Sequence, residues 1–113
     1  MGNLSYIQVI FTADTLDQAE SIGLALLEKR LVASVQTVSV WSQYWWQGRI
    51  RKRQEFRCNL KTRMDLWPQV AVEIRARHTY ELPEIFAVPL VEGTPEYLNW
   101  LTTELAGGEC NGC

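Results

Sequence analysis

An α+β fold of the split βαβ, or ferredoxin-like, type is predicted by three features of this 113-residue sequence. Strand-like and helix-like periodicities alternate in the order β, α, β, β, α, β. Two long strand-like runs meet at Gln47 and Gly48, the spacing of a tight hairpin connection. The length suits one compact core and is too short for two ordinary domains. A single domain over residues 1–106 is expected, closed by a short terminal helix, with residues 107–113 as a flexible tail.

The first strand is read over Leu4–Thr12, where Tyr6, Ile7, Val9, Ile10 and Phe11 form an aromatic and β-branched run of strand length. Thr15 followed by Gln18 is a capping-box pattern, and Leu16, Ala19, Gly23, Leu26, Leu27 and Arg30 recur at helical spacing, predicting a helix over Leu16–Arg30. Ser34–Trp46 and Arg49–Thr62 form the long hairpin. A second amphipathic helix lies within Thr62–Ala76, with Trp67, Val70, Ala71 and Ile74 on its apolar face. Pro68 is tolerated without a kink only in a first turn, which favours Asp65 over Thr62 as the cap. The fourth strand, Glu84–Val91, contains Pro89, which cannot donate to a ladder and assigns it to a sheet edge. Thr94 followed by Pro95 opens the terminal helix that carries Tyr97, Leu98, Trp100, Leu101 and Leu105.

Right-handed crossovers put both main helices on one face of such a sheet. Yet the fourth strand is apolar on both faces, with Phe86, Val88 and Leu90 alternating against Ile85, Ala87 and Val91. The terminal helix covers part of the second face, and the five tryptophans and the long hairpin point to further burial between subunits, hence a homo-oligomer.

Chemistry concentrates in His78-Thr79-Tyr80-Glu81-Leu82-Pro83-Glu84, between a helix and a strand. The topology gathers Thr12, Trp46, His78, Tyr80 and Glu84 at one end of the sheet. Ser34 and Lys61 fall at the opposite end and reach that group only across a subunit boundary. His78, the single histidine, is a candidate metal ligand with Glu81 and Glu84, or alternatively a helix-terminal residue satisfying the last carbonyls. Tyr80 and Glu84 pair equally well in a structural hydrogen bond that holds the turn.

Several function classes are disfavoured. A net charge of −2 supplies no long-range attraction for nucleic acid, and the polar stripe Arg49, Arg51, Arg53, Glu55, Arg57, Asn59, Lys61 lacks the glycine and aromatic pattern of an RNA-binding strand. No window is apolar enough for a bilayer span, and no N-terminal basic and apolar pattern suggests export. Three cysteines, with Cys110 and Cys113 together in the tail, are too few for a secreted disulfide framework, so a reducing cytoplasm is expected. No nucleophile, nucleotide or metalloprotease motif is present, so a non-enzymatic role is favoured over acid and base catalysis by His78 or Glu84 with Tyr80.

From Ile10 to Leu101 the chain resembles the CutA family of divalent-cation tolerance proteins. The resemblance is carried by EKRLVA at Glu28–Ala33, YWWQGRI at Tyr44–Ile50, KTR at Lys61–Arg63, HTYELPE at His78–Glu84, PLVEG at Pro89–Gly93, and Tyr97, Leu98, Trp100 and Leu101. It implies a homotrimer of ferredoxin-like protomers with hairpins reaching their neighbours, and a role in tolerance of copper and other divalent ions. The implied site is an inter-subunit cleft lined by Trp46, Lys61, His78, Tyr80 and Glu84. It would take a divalent metal ion such as copper, held by His78 and Glu84, or a small anionic ligand; ligand sensing is the alternative role. Ser34 stands where members often carry cysteine and Phe11 where some do, and neither supplies a thiolate for a soft ion.

Overall fold

The computed structural model describes residues 5–107. Within them lie β1 (Tyr6–Ala13), α1 (Leu16–Glu28), β2 (Ser34–Trp46), β3 (Arg49–Arg63), α2 (Trp67–Arg77), β4 (Ile85–Leu90) and α3 (Pro95–Glu104), with a 3₁₀ turn at Met64–Leu66. The strands form one antiparallel sheet in the order β2-β3-β1-β4, as the split βαβ reading requires. Leu4, the tail beyond Gly107 and its Cys110 and Cys113 lie outside the described residues.

Alternation along β1 and β3 separates the two faces of the sheet. Val9, Phe11, Cys58 and Leu60 are fully buried, and pack with Ile22 and Leu26 of α1 and Val70 and Ile74 of α2. Gly23 lets α1 approach this face closely, since a Cβ there would stand 3.0 Å from Val35 Cγ1. The intervening residues, Gln8, Ile10 and Thr12 of β1 and Glu55, Arg57, Asn59 and Lys61 of β3, lie on the other face. One end of that second face is covered by α3, whose Leu101 is fully buried and whose Thr102 hydroxyl hydrogen-bonds Tyr6. Phe86 and Val88 of β4 remain 40% and 36% exposed on it.

Local chemistry explains the element ends. Thr15 caps α1 by accepting from the Gln18 N–H at 3.1 Å. The helix stops at Glu28, two residues earlier than its apolar spacing suggests, because Arg30 turns left-handed (φ 57°). Leu31 N–H then bonds Leu26 O and Arg30 N–H bonds Leu27 O, a Schellman closure built on a residue other than glycine. Asp65 does not cap α2. Its carboxylate instead binds the Arg63 guanidinium at 2.8 and 3.1 Å, and the 3₁₀ turn leads into a helix with Pro68 in its first turn.

The hairpin turn places both Gln47 (φ 52°) and Gly48 (φ 76°) in the left-handed region, the geometry of a type I′ turn whose twist matches its strands. Because β1 reaches only to Phe56 of β3, residues Val40–Trp46 and Arg49–Glu55 pair with each other alone. This overhang gives the chain its 54 × 26 × 21 Å outline. It carries Trp41, Trp45 and Ile50 at 70%, 72% and 64% exposure, far more apolar surface than a solvated ribbon needs.

Candidate functional site

A cavity of about 330 Å³ opens on the second face of the sheet, in the corner between the overhanging hairpin and the turn that follows α2. Thr12, Trp46, Tyr80 and Glu84, all expected from the sequence, line it. His78 stands behind the wall and shapes it. Lys61 is elsewhere, paired in register with Ser34 and Gln8 at the far end of the protomer, as topology dictates.

His78 ends α2 in an extended conformation, so its ring swings away from the helix carbonyls and toward β1. Its Nε2 lies 2.6 Å from Thr12 O, and the Tyr80 N–H donates to Nδ1 at 3.1 Å. A carbonyl oxygen can only accept, so Nε2 carries the proton and Nδ1 supplies the lone pair. Both ring nitrogens are thereby used by the neutral tautomer. The imidazole, packed edge-on to Phe11, ties the 78–84 turn to the end of β1.

The ring of Tyr80 tilts against His78, and its hydroxyl donates to Glu55 Oε2 at 2.8 Å. The expected Tyr80–Glu84 pairing is thus replaced: Pro83 keeps the chain extended, and Glu84 lines the cavity mouth. Burial, then the hydrogen bond and charge of Glu55, push the Tyr80 phenol far above its ordinary value. It remains a donor at any physiological pH and cannot act as a base. The Arg53 guanidinium sits 5.2 Å over the Tyr80 ring and binds Asp14 Oδ1 at 2.7 Å.

Glu55, Arg53 and Tyr44 were not singled out as site residues by sequence reasoning. A signal did exist for one of them: Glu55 is the lone acid in the basic stripe Arg49–Lys61. By alternation alone the stripe reads as solvated or as paired across an interface, and within the protomer Glu55 is already only 5% exposed.

The donor set does not fit a divalent metal ion within one protomer. Among the described residues no group of three or more His, Cys, Asp or Glu is placed to hold a metal, and the lone pair of His78 is already engaged. For the expected His78 and Glu84 ligand pair to hold an ion, Nδ1 would have to give up the Tyr80 N–H. Cys58 offers no substitute: it is fully buried beside Thr37, and burial pushes its thiol up, away from the thiolate that soft ions need.

Comparison with known proteins extends from the cavity to the whole chain. The model of the family described as CutA1 divalent ion tolerance protein matches residues 7–104. A divalent-cation tolerance protein CutA of Archaeoglobus fulgidus is 40% identical over 101 residues, covering 89% of this chain and 95% of its own. Its counterpart in Thermus thermophilus is 39% identical over 94 residues, covering 82% and 91%. The solved structure from A. fulgidus, described as a periplasmic divalent cation tolerance protein, superposes with a TM-score of 0.86 at 36% identity, over 88% of this chain and 97% of that one. The T. thermophilus Cut A1 structure gives 0.85 at 37% identity, over 88% and 98%. With the family model matched over residues 7–104 and these relatives 39–40% identical over most of its length, this chain belongs to the CutA1 family of divalent-ion tolerance proteins.

Proposed function

We propose that the protein acts without catalysis, as a homotrimer whose inter-subunit clefts bind a small ligand and thereby serve the cell's tolerance of divalent ions. The carrying observation is the cavity walled by Trp46, Tyr80 and Glu84, which stands open where the unpaired half of the hairpin projects from the protomer. Three features support assembly. The overhang exposes Trp41, Trp45 and Ile50; Phe86 and Val88 are open on the second face; and Arg57 Nε and Asn59 Oδ1 on that face are buried without partners among the described residues. Buried polar groups are almost always satisfied, so atoms from another chain are the natural complement.

In this reading His78 positions the wall instead of holding the ion, and Lys61 enters a cleft only from a neighbouring copy. Tyr80, held protonated with its hydroxyl donated to Glu55, offers no base for proton abstraction. A cytoplasmic setting belongs to the same proposal and is supported by the free, buried Cys58. No described helix is long and apolar enough to cross a membrane.

Light scattering across the micromolar range tests assembly; a stable monomer would remove the inter-subunit cleft. Titration with copper(II) and zinc(II), following tryptophan emission in the wild type and in His78→Ala, tests the ion. The reading expects either no saturable response or one that survives His78→Ala. A tight response abolished by that substitution would restore His78 as a ligand.

A further inference from the structure

The cavity contains a charge without a counter-charge. Glu55 is 5% exposed, and its one hydrogen-bond partner is the neutral Tyr80 hydroxyl. None of the ion pairs of the described residues includes it. Of the two arginines that flank it on this strand face, Arg53 lies over the Tyr80 ring and is committed to Asp14 at 2.7 Å, and Arg57 forms no ion pair among the described residues. A carboxylate removed from water without a cation is costly, and such groups are ordinarily paired.

The surroundings indicate what kind of cation belongs there. Tyr44, Trp46 and Leu82 supply aromatic and apolar wall, while Glu81 and Glu84 add two further carboxylates toward the mouth. Arg51 and Arg53 oppose these three acids, and Asp14 already neutralises Arg53. The remaining charge is negative. No group of three His, Cys, Asp or Glu converges among the described residues to cage a bare divalent ion. The volume, about 330 Å³, lies in the range of small-molecule pockets, and aromatic faces beside a carboxylate are the usual setting for an organic cation.

We propose that this cavity binds a small organic cation, an ammonium or guanidinium group seated on Glu55 with its apolar body against Trp46 and Tyr44. The inference rests on reading the cleft as a ligand site, and it reverses the anionic ligand that Lys61 would suggest. Tyr80 then has a defined part: by donating to Oε2 it orients the carboxylate and leaves the other oxygen for the guest.

Three probes sharing one phenyl body test the sign of the ligand: phenethylammonium, phenethylguanidinium and 3-phenylpropionate, titrated calorimetrically into the full chain at 0.15 M salt. The two cations are expected to bind and the anion not, with Glu55→Gln weakening the cations at least tenfold. If Glu55→Gln fails to fold, Trp46→Leu, at a half-buried position, is expected to weaken both cations at least fivefold. Binding of the anion equal to that of the cations, unaffected by Glu55→Gln, overturns the inference and leaves the cleft reading in place. If the wild type binds neither cation and Lys61→Ala then admits them, a lysine of another copy already occupies Glu55; the inference again falls alone. Silence of all three probes in wild type and Lys61→Ala overturns both.

Discussion

The two faces of β3 differ in kind. Toward the helices Cys58, Leu60 and Thr62 are fully buried, and the polar side chains among them are satisfied, Thr62 donating to Leu31 O at 2.7 Å and the Cys58 thiol to Ala19 O. Toward the other side, the same strand offers Glu55 with no cation and Arg57 and Asn59 with unpartnered buried atoms. A face complete within one chain serves stability; a face left incomplete marks where something else must bind.

Substitutions of graded severity sharpen that contrast. Phe11→Ala, at a fully buried position, is expected to cost about 3–5 kcal/mol in denaturant unfolding, through lost contacts and the cavity left behind. Trp41→Ala on the overhang is expected to change the stability of the dissociated chain by no more than about 0.5 kcal/mol, while promoting dissociation at dilution in sedimentation experiments. An association equilibrium untouched by Trp41→Ala would break the contrast, by showing that the overhang is mere solvated ribbon.

Tyr80→Phe comes next. It strands the buried Glu55 carboxylate without its one donor, and should cost about 1–3 kcal/mol by chemical denaturation. No measurable loss would mean that Glu55 is satisfied from elsewhere. His78→Ala should cost about 1 kcal/mol, because the Tyr80 N–H and Thr12 carbonyl can turn partly to water. Its clearer readout is faster amide exchange at Tyr80, and unchanged exchange would deny the imidazole its positioning role.

The smallest effect lies away from both faces. The hydrogen bond and charge of Arg63 hold the Asp65 carboxyl below its ordinary value. A depressed acid stabilises the fold fully above its unfolded pKa, about 3.9, and the contribution disappears as pH falls through the lower folded value. Wild type should therefore lose stability more steeply than Asp65→Asn below about pH 4. Parallel pH profiles would show the pair to be a solvated contact, as many exposed ion pairs are.

Much of the site was legible because a short turn carries its own constraints. Pro83 forces an extended junction, and strand order alone brings Thr12, Trp46, Tyr80 and Glu84 to one end of the sheet. Roles were harder to read. His78 has three chemically sound uses in sequence, and the approach of Thr12 O to one nitrogen and the Tyr80 N–H to the other shows a further one, holding the turn. Asp65 is an acceptable cap by type, yet both of its carboxylate oxygens are taken by Arg63.

Periodicity, turn residues and caps are local properties, and they determined the element order, the hairpin, the sheet-edge place of β4 and the helical face that meets the core. Burial and pairing are properties of surroundings that neighbouring residues in sequence do not supply. Glu55 belongs by alternation to a stripe that is solvated or paired across an interface, and its partner within the chain is Tyr80, twenty-five positions along, which no local pattern could name.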